Sequence, residues 1–420
     1  MADGRKSMLV IASWYPSKDN PIAGTFFKEQ CELLSSVYDV TVLKINSYSS
    51  LFLKYCAKRI SGRDISIEPI GQREGLREYD IHVYRPMTLA LKNNLYGRFT
   101  IKRKGLAGLG SVDCKAEKKF WKTHMERLIN KIDGSYDLVY GISAQGTAVY
   151  AMLLAQTLGV PYILSEHSPF MIPGTSLNDT FKTSVEGASA FLAISKDKVR
   201  QILMQNIKLK RICYMGNMID DEKFSFRPSP HDDKTFLIVA ANSFYKNYDL
   251  FIKTMDRLSE IATVPFKVIV AGYGANKGYS QAADELLRKI RGSKFSDRVE
   301  LIPEVSREDI PLLYNRADAF VMTSIQEGQP VAAIEAACSG LPVFSTRCGG
   351  VEDYVDDSMG RIVGILDYKE LADHMNDFLS GSVTYNGRHI HEKTAELFGK
   401  NNYLKKFTDI VNEVTGQSHE

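Results

Sequence analysis

Residues 317–350 read ADAFVMTSIQEGQPVAAIEAACSGLPVFSTRCGG. The apolar run Ala319 to Met322 has strand length, and a polar loop follows from Thr323 to Gln329. Pro330 suits the first residue of a helix, because its fixed φ is already helical and its missing N–H has no partner to lose there. Val331 to Cys338 is helix-like and nearly all apolar, Gly340 is a natural stop, and Leu341 to Ser345 reads as a second buried strand. Strand, loop, helix and strand in succession are the building block of a parallel sheet. Two carboxylates interrupt this apolar text, Glu327 in the loop and Glu335 among alanines of the helix. A carboxylate on a buried helix is costly unless it is paired. Two readings of Glu335 therefore stand open. It lies on a wet face or against an arginine, or it accepts hydrogen bonds from the vicinal hydroxyls of a ligand such as a ribose. In the second reading the N–H groups of Gly328, Gln329 and Val331 at the helix N-terminus receive phosphate or sugar oxygens.

The spacing of Glu327 and Glu335 is E-x7-E, inside S-x-x-E-G-x-P-x-x-x-x-E-A-x-x-x-G-x-P-V and followed by Gly349-Gly350 and Glu352. This text resembles the donor-site signature of glycosyltransferase family 4, retaining enzymes of the GT-B fold. The resemblance implies an α/β protein with two Rossmann-like domains facing each other across a cleft and a C-terminal helix crossing back to the first.

At 420 residues the chain is too long for one core. A composition 44% hydrophobic and 25% charged is that of a globular protein. The longest apolar stretch, Val149 to Leu164, is broken by Gln156, Thr157, Gly159 and Pro161, so no transmembrane span is expected. The N-terminus lacks the long apolar region of a signal peptide, and the six cysteines show no C-x-x-C pair, so a cytoplasmic protein with reduced cysteines is expected. Residues 1–226 hold 31 Lys and Arg against 22 Asp and Glu, a net +9 that leaves −6 for the remainder of a chain at +3 overall. Such asymmetry suggests that the first half meets an anionic surface or substrate.

Taken in order, Ser7 to Ser13 is a buried strand, Phe26 to Ser35 a helix and Tyr38 to Ile45 the next strand, the opening of a Rossmann-like half. The loop S-W-Y-P-x-x-x-N-P-x-x-G-T-F-F-K-E-Q between them is similar to the opening of bacterial members of the family. There the resemblance gives Gly24 a close backbone approach to the donor diphosphate. Residues 51–126 read least clearly, with a strand at Asp80 to Tyr84. Basic residues then interleave with apolar ones, from Lys92, Arg98 and Lys102–Lys104 through Lys115, Lys118, Lys119 and Lys122. Solvated helix faces and the anionic face of a bilayer both fit that pattern. No nucleic-acid module is present. Strands at Asp137 to Gly141 and Pro161 to Ser165 follow, the latter ending at Glu166-His167-Ser168. His167 thus falls at a strand's carboxyl end, where ligands of such sheets bind. It also matches the family's T-E-H-S text, which implies a catalytic role. A histidine that the family places after the preceding strand is missing, with Ile142 in its stead. Asn217, Asp220 and Phe224 match the N-x-x-D-x-x-x-F text that closes the family's first domain.

The expected division is a first, acceptor-binding domain over 1–226, a linker rich in Pro and charge at 227–234, a nucleotide-sugar domain over 235–393 and a helical tail at 394–420. In the second domain Lys246 matches the family lysine that grips the donor diphosphate, and Ala241 occupies the place of its arginine. Backbone groups around Glu304 and Val305 match the wall that reads the nucleobase. No G-x-G-x-x-G follows any strand, which argues against a nicotinamide enzyme. No D-x-D or His/Cys cluster with metal spacing is present either, so neither metal nor cofactor is expected.

The activity implied is transfer of a sugar from a nucleotide-diphosphate donor (UDP or GDP) to a hydroxyl of a glycan or lipid-linked acceptor. Glu327, His167 and Lys246 carry the chemistry. Gly24, Lys246, Glu304, Val305, Gly328, Gln329, Pro330, Val331 and Glu335 bind the donor. A cytoplasmic protein on the inner face of the plasma membrane would suit such an acceptor. A GT-B epimerase of nucleotide sugars and a non-catalytic donor-binding relative are the alternatives. A plain nucleotide-binding module would leave the matched pair Glu327 and Glu335 without a purpose.

Overall fold

Alternation of buried strands with amphipathic helices sorts this chain into two units, each around its own sheet. The computed structural model describes residues 4–12, 14–18, 20, 23–87, 89, 115–167, 179–227, 233–274 and 280–416. Of the basic stretch, Lys92 to Leu106 lies outside the described residues, as do Cys114, Ser168 and residues 228–232 of the expected linker.

The first unit comprises residues 1–194, 198–215 and 404–420. Its strands are β1 (Ser7–Ala12), β2 (Asp39–Ser50), β3 (Ile65–Arg73), β4 (Leu76–Pro86), β5 (Leu138–Ile142), β6 (Tyr162–Glu166), β7 (Ala190–Ala193) and β8 (Ile212–Tyr214). The helices between them are α1 (Thr25–Leu34), α2 (Phe52–Ile60), α3 (Lys115–Ile129), α4 (Ala144–Leu158), α5 (Asp179–Glu186) and α6 (Lys196–Met204). The sheet order is β3-β4-β2-β1-β5-β6-β7-β8. All neighbours are parallel except β3, which forms an antiparallel hairpin with β4. The core under α3 and α4 holds Trp121, Met125, Leu128 and Leu154 against Leu9, Ile11 and Val139 of the sheet.

The second unit comprises residues 195–197 and 216–403. Its elements are β9 (Lys234–Val239), α7 (Tyr248–Ile261), β10 (Phe266–Ala271), α8 (Ser280–Arg291), β11 (Val299–Ile302), α9 (Ile310–Tyr314), β12 (Ala319–Met322), α10 (Val331–Cys338), β13 (Val343–Thr346), β14 (Gly360–Val363), α11 (Tyr368–Ser380) and α12 (Gly387–Phe398). The last helix, α13 (Lys400–Val414), is counted with the first unit from Leu404 onward. The second sheet is wholly parallel, in the order β11-β10-β9-β12-β13-β14, the order of a dinucleotide-binding Rossmann sheet. Alternate residues of β9 divide between two cores: Leu237 packs with Ile334 and Ala337 of α10, whereas Phe236 and Ile238 pack with Phe251 and Met255 of α7. A sheet covered on both faces is why its strands read as unbroken apolar runs.

Three details differ from the sequence expectations. The chain divides at Met215/Gly216, ahead of the Pro-rich stretch, so Asn217, Asp220 and Phe224 sit in the second unit rather than closing the first. The tail expected as one helix from Thr394 is broken at Gly399, where Ile219 N–H donates to the Phe398 carbonyl at 2.9 Å. Pro330 is the N-cap of α10 and not its first residue, with φ −72° and ψ 110°, and its carbonyl accepts from Ala333 and Ile334. The far end of α10 closes as expected. Gly340, at φ 87°, lets Leu341 N–H reach the Ala336 carbonyl (3.0 Å) and Gly340 N–H the Ala337 carbonyl (2.9 Å), a Schellman stop.

Candidate active site

In the second unit the loops leaving β9, β12 and β13 are sewn together at the carboxyl end of the sheet. Ile325 N–H donates to the Tyr245 carbonyl (2.7 Å), and the Thr323 hydroxyl lies 3.2 Å from the carbonyls of Lys246 and Asn247. On the other side the Thr346 hydroxyl donates to the Ser324 carbonyl (2.6 Å), and Glu327 N–H to that of Cys348 (2.7 Å). Glu327 Oε1 accepts from Lys246 Nζ at 2.6 Å and from Ser324 Oγ at 2.7 Å. The pair keeps a wet edge, with side chains 30% and 15% exposed for Lys246 and Glu327. Burial, and secondarily the charge of Glu327, raise the thiol pKa of Cys348. That cysteine stays protonated and serves as packing.

The two glycines after β13 make this closeness possible. Gly350 has φ 76°, and a Cβ there would stand 2.6 Å from the Gly328 carbonyl oxygen and 2.8 Å from Gln329 Cα. Gly350→Ala should therefore cost about 1–3 kcal/mol, because backbone must move as well as a left-handed φ be tolerated. Gly381→Ala, at φ 81° with nothing within 4 Å of the added carbon, should lose only the smaller conformational part. Urea-unfolding midpoints of the two variants would show the difference, and equal midpoints would remove the packing role.

Gln329 is clamped from behind: Asn217 N–H donates to Gln329 Oε1 (2.5 Å) and Asn217 Nδ2 to the Gln329 carbonyl (2.9 Å). Among the described residues the N–H groups of Gly328, Gln329 and Val331 donate to nothing, and the Gln329 amide nitrogen is buried without an acceptor. Glu335, one turn into α10, lies against an arginine. It is buried, Arg307 Nη1 donates to its Oε1, and the Tyr314 hydroxyl donates to its Oε2 at 3.0 Å. Burial, and then the neighbouring carboxylate, hold the Tyr314 pKa well above its usual value. Periodicity could not name Arg307 or Tyr314, since neither has a sequence relation to Glu335 that helix or strand spacing would mark. Glu304 is exposed and Val305 half-buried beyond β11, where Gly274 N–H donates to the Pro303 carbonyl at 2.8 Å.

His167 and Gly24 belong to the first unit, His167 just past the carboxyl end of β6 and Gly24 at the start of α1. A polar chain runs from Gln30 Nε2 to the Tyr140 hydroxyl, on to Ser165 Oγ and then to His167 Nε2, each link 3.0 Å long. With Tyr140 donating to Ser165, the serine hydroxyl is left to donate to Nε2, which puts the proton of a neutral imidazole on Nδ1. The ring stands edge-on to Phe27 of α1, with centroids 4.8 Å apart. Beneath it the buried Glu166 accepts from the N–H of His167 (2.9 Å) and of Gln145 (2.8 Å), tying β6 to the start of α4. Ile142, in the place of the absent histidine, is fully buried at the end of β5. Gly24 proves to be a structural glycine. It caps α1 at φ 65°, and a Cβ there would stand 2.4 Å from the Trp14 carbonyl oxygen, so the turn itself demands it.

Comparison with known proteins bears on this arrangement. Residues 220–403, the greater part of the second unit, match the family model described as Glycosyl transferases group 1. Among solved structures, sucrose-phosphate synthase from Thermosynechococcus elongatus superposes with a TM-score of 0.69 at 14% identity, covering 98% of this chain and 100% of that one. The fold is GT-B. Anabaena Alr3699/HepE in complex with UDP and glucose gives a TM-score of 0.65 at 13% identity, covering 97% of this chain and all of that one. The α/β class with two Rossmann-like domains, expected from the sequence, is therefore borne out. Among curated proteins, a phosphatidylinositol N-acetylglucosaminyltransferase subunit of Arabidopsis thaliana is 23% identical over 282 residues, 65% of this chain and 61% of that protein. The chain thus spans less than two thirds of that relative's length.

Proposed function

We propose that this GT-B chain is a retaining, metal-independent glycosyltransferase of family 4 that uses a nucleotide-diphosphate sugar. The observation that carries the reading is the Lys246–Glu327 pair, held at the sheet's carboxyl end beside the free N–H groups that lead into α10. In this reading Lys246 and the N–H groups of residues 328–331 take the diphosphate, and Glu327 orients the donor sugar. Arg307 and Tyr314 orient the Glu335 carboxylate, which in this reading accepts hydrogen bonds from the ribose hydroxyls. Charge on the leaving diphosphate is met by the lysine and backbone dipoles, whose worth grows in a site that excludes water. The bond from the anomeric carbon to the phosphate oxygen breaks as the bond to the acceptor oxygen forms on the same face. The acceptor's proton passes to the departing phosphate oxygen. His167, in the first unit, is assigned to the acceptor side of the chemistry. UDP is the first nucleotide to try, since the Anabaena neighbour was solved with it. A lipid-borne acceptor is supported by the Arabidopsis relative, whose name carries a lipid; its place on the cytoplasmic face of a membrane belongs to the proposal.

The test is a thermal-shift panel of nucleotides and nucleotide sugars on wild type and Glu335→Ala. A ligand at about 100 times its Kd should add about 2.7 kcal/mol of stability. Stabilisation by one diphosphate-sugar family, lost in the variant, is expected. No shift with any of them would transfer the assignment to a relative without donor binding.

A further inference from the structure

Helix α2 is built inside out. Helical spacing sets Leu53, Ala57 and Ile60 on one face, at i, i+4 and i+7. That face turns to solvent: Leu53 is 81% and Ile60 89% exposed, while Leu51 and Phe52 at the helix start are 55% and 54% exposed. No residue of the helix is buried. Its polar side chains provide the attachment instead. Lys58 Nζ stands 3.6 Å from the centroid of the Tyr84 ring, and Arg59 Nη1 donates to Asp64 Oδ2 at 2.9 Å. The rings of Tyr55 and Phe120 have centroids 6.3 Å apart, which places α3 alongside. An ordinary surface helix buries its apolar stripe and wets its charges. Here the apolar stripe is what the helix presents outward.

Charge indicates the occupant. Besides Lys58 and Arg59, which are held by Tyr84 and Asp64, residues 51–63 expose Lys54 and Arg63 and hold no acidic residue. The adjoining α3 exposes Lys118, Lys119 and Lys122. An apolar stripe rimmed by cations on a short helix is the pattern that sinks into the boundary between lipid headgroups and acyl chains, with long basic side chains reaching back to the phosphates.

We propose that α2 is an in-plane docking element for a bilayer containing anionic lipid, its stripe of Leu53, Ala57 and Ile60 entering the membrane and the surrounding lysines meeting the headgroups. The proposal deepens, and rests on, the membrane-borne acceptor of the reading above. The full chain is mixed with vesicles of phosphatidylcholine alone or with about 30% phosphatidylglycerol, and floated on a density gradient. Wild type should float with the anionic vesicles and much less with the neutral ones. Leu53→Glu/Ile60→Glu should weaken binding by about tenfold or more. Lys54→Ala/Lys118→Ala/Lys119→Ala should weaken it and flatten its dependence on salt. Leu366→Glu, at a leucine 78% exposed in the second unit, should float as wild type does.

Failure of wild type to float on anionic vesicles, or a glutamate variant floating unchanged, would overturn the proposal. So would a glutamate variant that melts markedly lower, which would show the stripe covered by the chain itself. A dimeric wild type made monomeric by the same substitutions would overturn it too, assigning the face to a second copy. The nucleotide-induced shift measured on the same preparations keeps the two ideas apart. Lost flotation with the shift intact removes the docking helix alone, and a lost shift with flotation intact removes the donor site alone.

Discussion

Glu327→Ala is expected to lower kcat by about 10²–10³-fold in a transfer assay with the nucleotide sugar that stabilises the protein. The carboxylate accepts from Lys246 Nζ and Ser324 Oγ, and the backbone N–H of the same residue is held on the Cys348 carbonyl. In the proposed reading its removal would free the donor sugar to rotate, and it would release the lysine from its set position. Lys246→Ala should cost a similar factor by leaving the diphosphate without its point charge. Because each residue positions the other, the double variant should be little worse than the poorer single one. Fully multiplicative losses would show two independent contributions, and a Glu327→Ala enzyme with near-normal turnover would take Glu327 out of the reaction. Nucleotide affinity, followed in parallel, separates lost binding from lost chemistry.

The largest stability effect is expected in the other unit. Asp64 is fully buried in the first unit and gathers three cationic or ionisable partners. Arg127 grips both carboxylate oxygens at 2.6 and 2.9 Å, Arg59 donates at 2.9 Å, and His124 Nε2 lies 3.2 Å away. His124 in turn bonds through Nδ1 to the Phe120 carbonyl at 2.8 Å. Removing one member of a buried ionic group costs about 3–5 kcal/mol, since the others are left unpaired. The arginine side chains are 27% and 38% exposed and can turn partly to water, which sets the expectation for Asp64→Ala at the lower end, about 3 kcal/mol. At the 2–4 °C per kcal/mol usual for a unit of this size, the melting temperature should fall by about 6–12 °C. Nucleotide-induced stabilisation should survive. An unchanged melting point would show that solvent already satisfies these arginines.

The parts of this molecule that were legible in the sequence are those where a local rule is strict. A buried parallel strand must be apolar throughout, and a helix stop at φ 87° calls for glycine, so residues 317–350 declared β12, α10, β13 and the stop after α10, while Pro330 stands one place earlier than expected, as N-cap. Strand β3 was not legible. It is an edge strand with one buried residue, and its register slips between Pro69 and Gly71, so neither alternation nor an apolar run marks it. The site divides in the same way. Glu327, Gly328 and Lys246 stand out through neighbours in their own loops. The partners of Glu335 come from a segment 21 to 28 residues away, and only the fold brings Arg307 and Tyr314 to it. Gly24 carries a requirement the sequence did not show, a close approach to Trp14 of its own loop.

Phe407 of α13 is fully buried in the first unit, its ring 5.3 Å from that of Tyr140 and 6.2 Å from that of Tyr38, and Lys6 reaches Asn412 at 2.8 Å. On the ribosome these partners are separated by time. The first sheet is synthesised early, yet the helix that fills its flank emerges only after the whole of the second unit has been made. At about 5–20 residues per second, roughly ten seconds or more pass with that flank open. Order of synthesis and order of completion are thereby reversed, the later unit finishing before the earlier one. A nascent chain halted before Leu404 would carry an apolar cleft between Tyr38 and Tyr140, a surface for chaperones to hold.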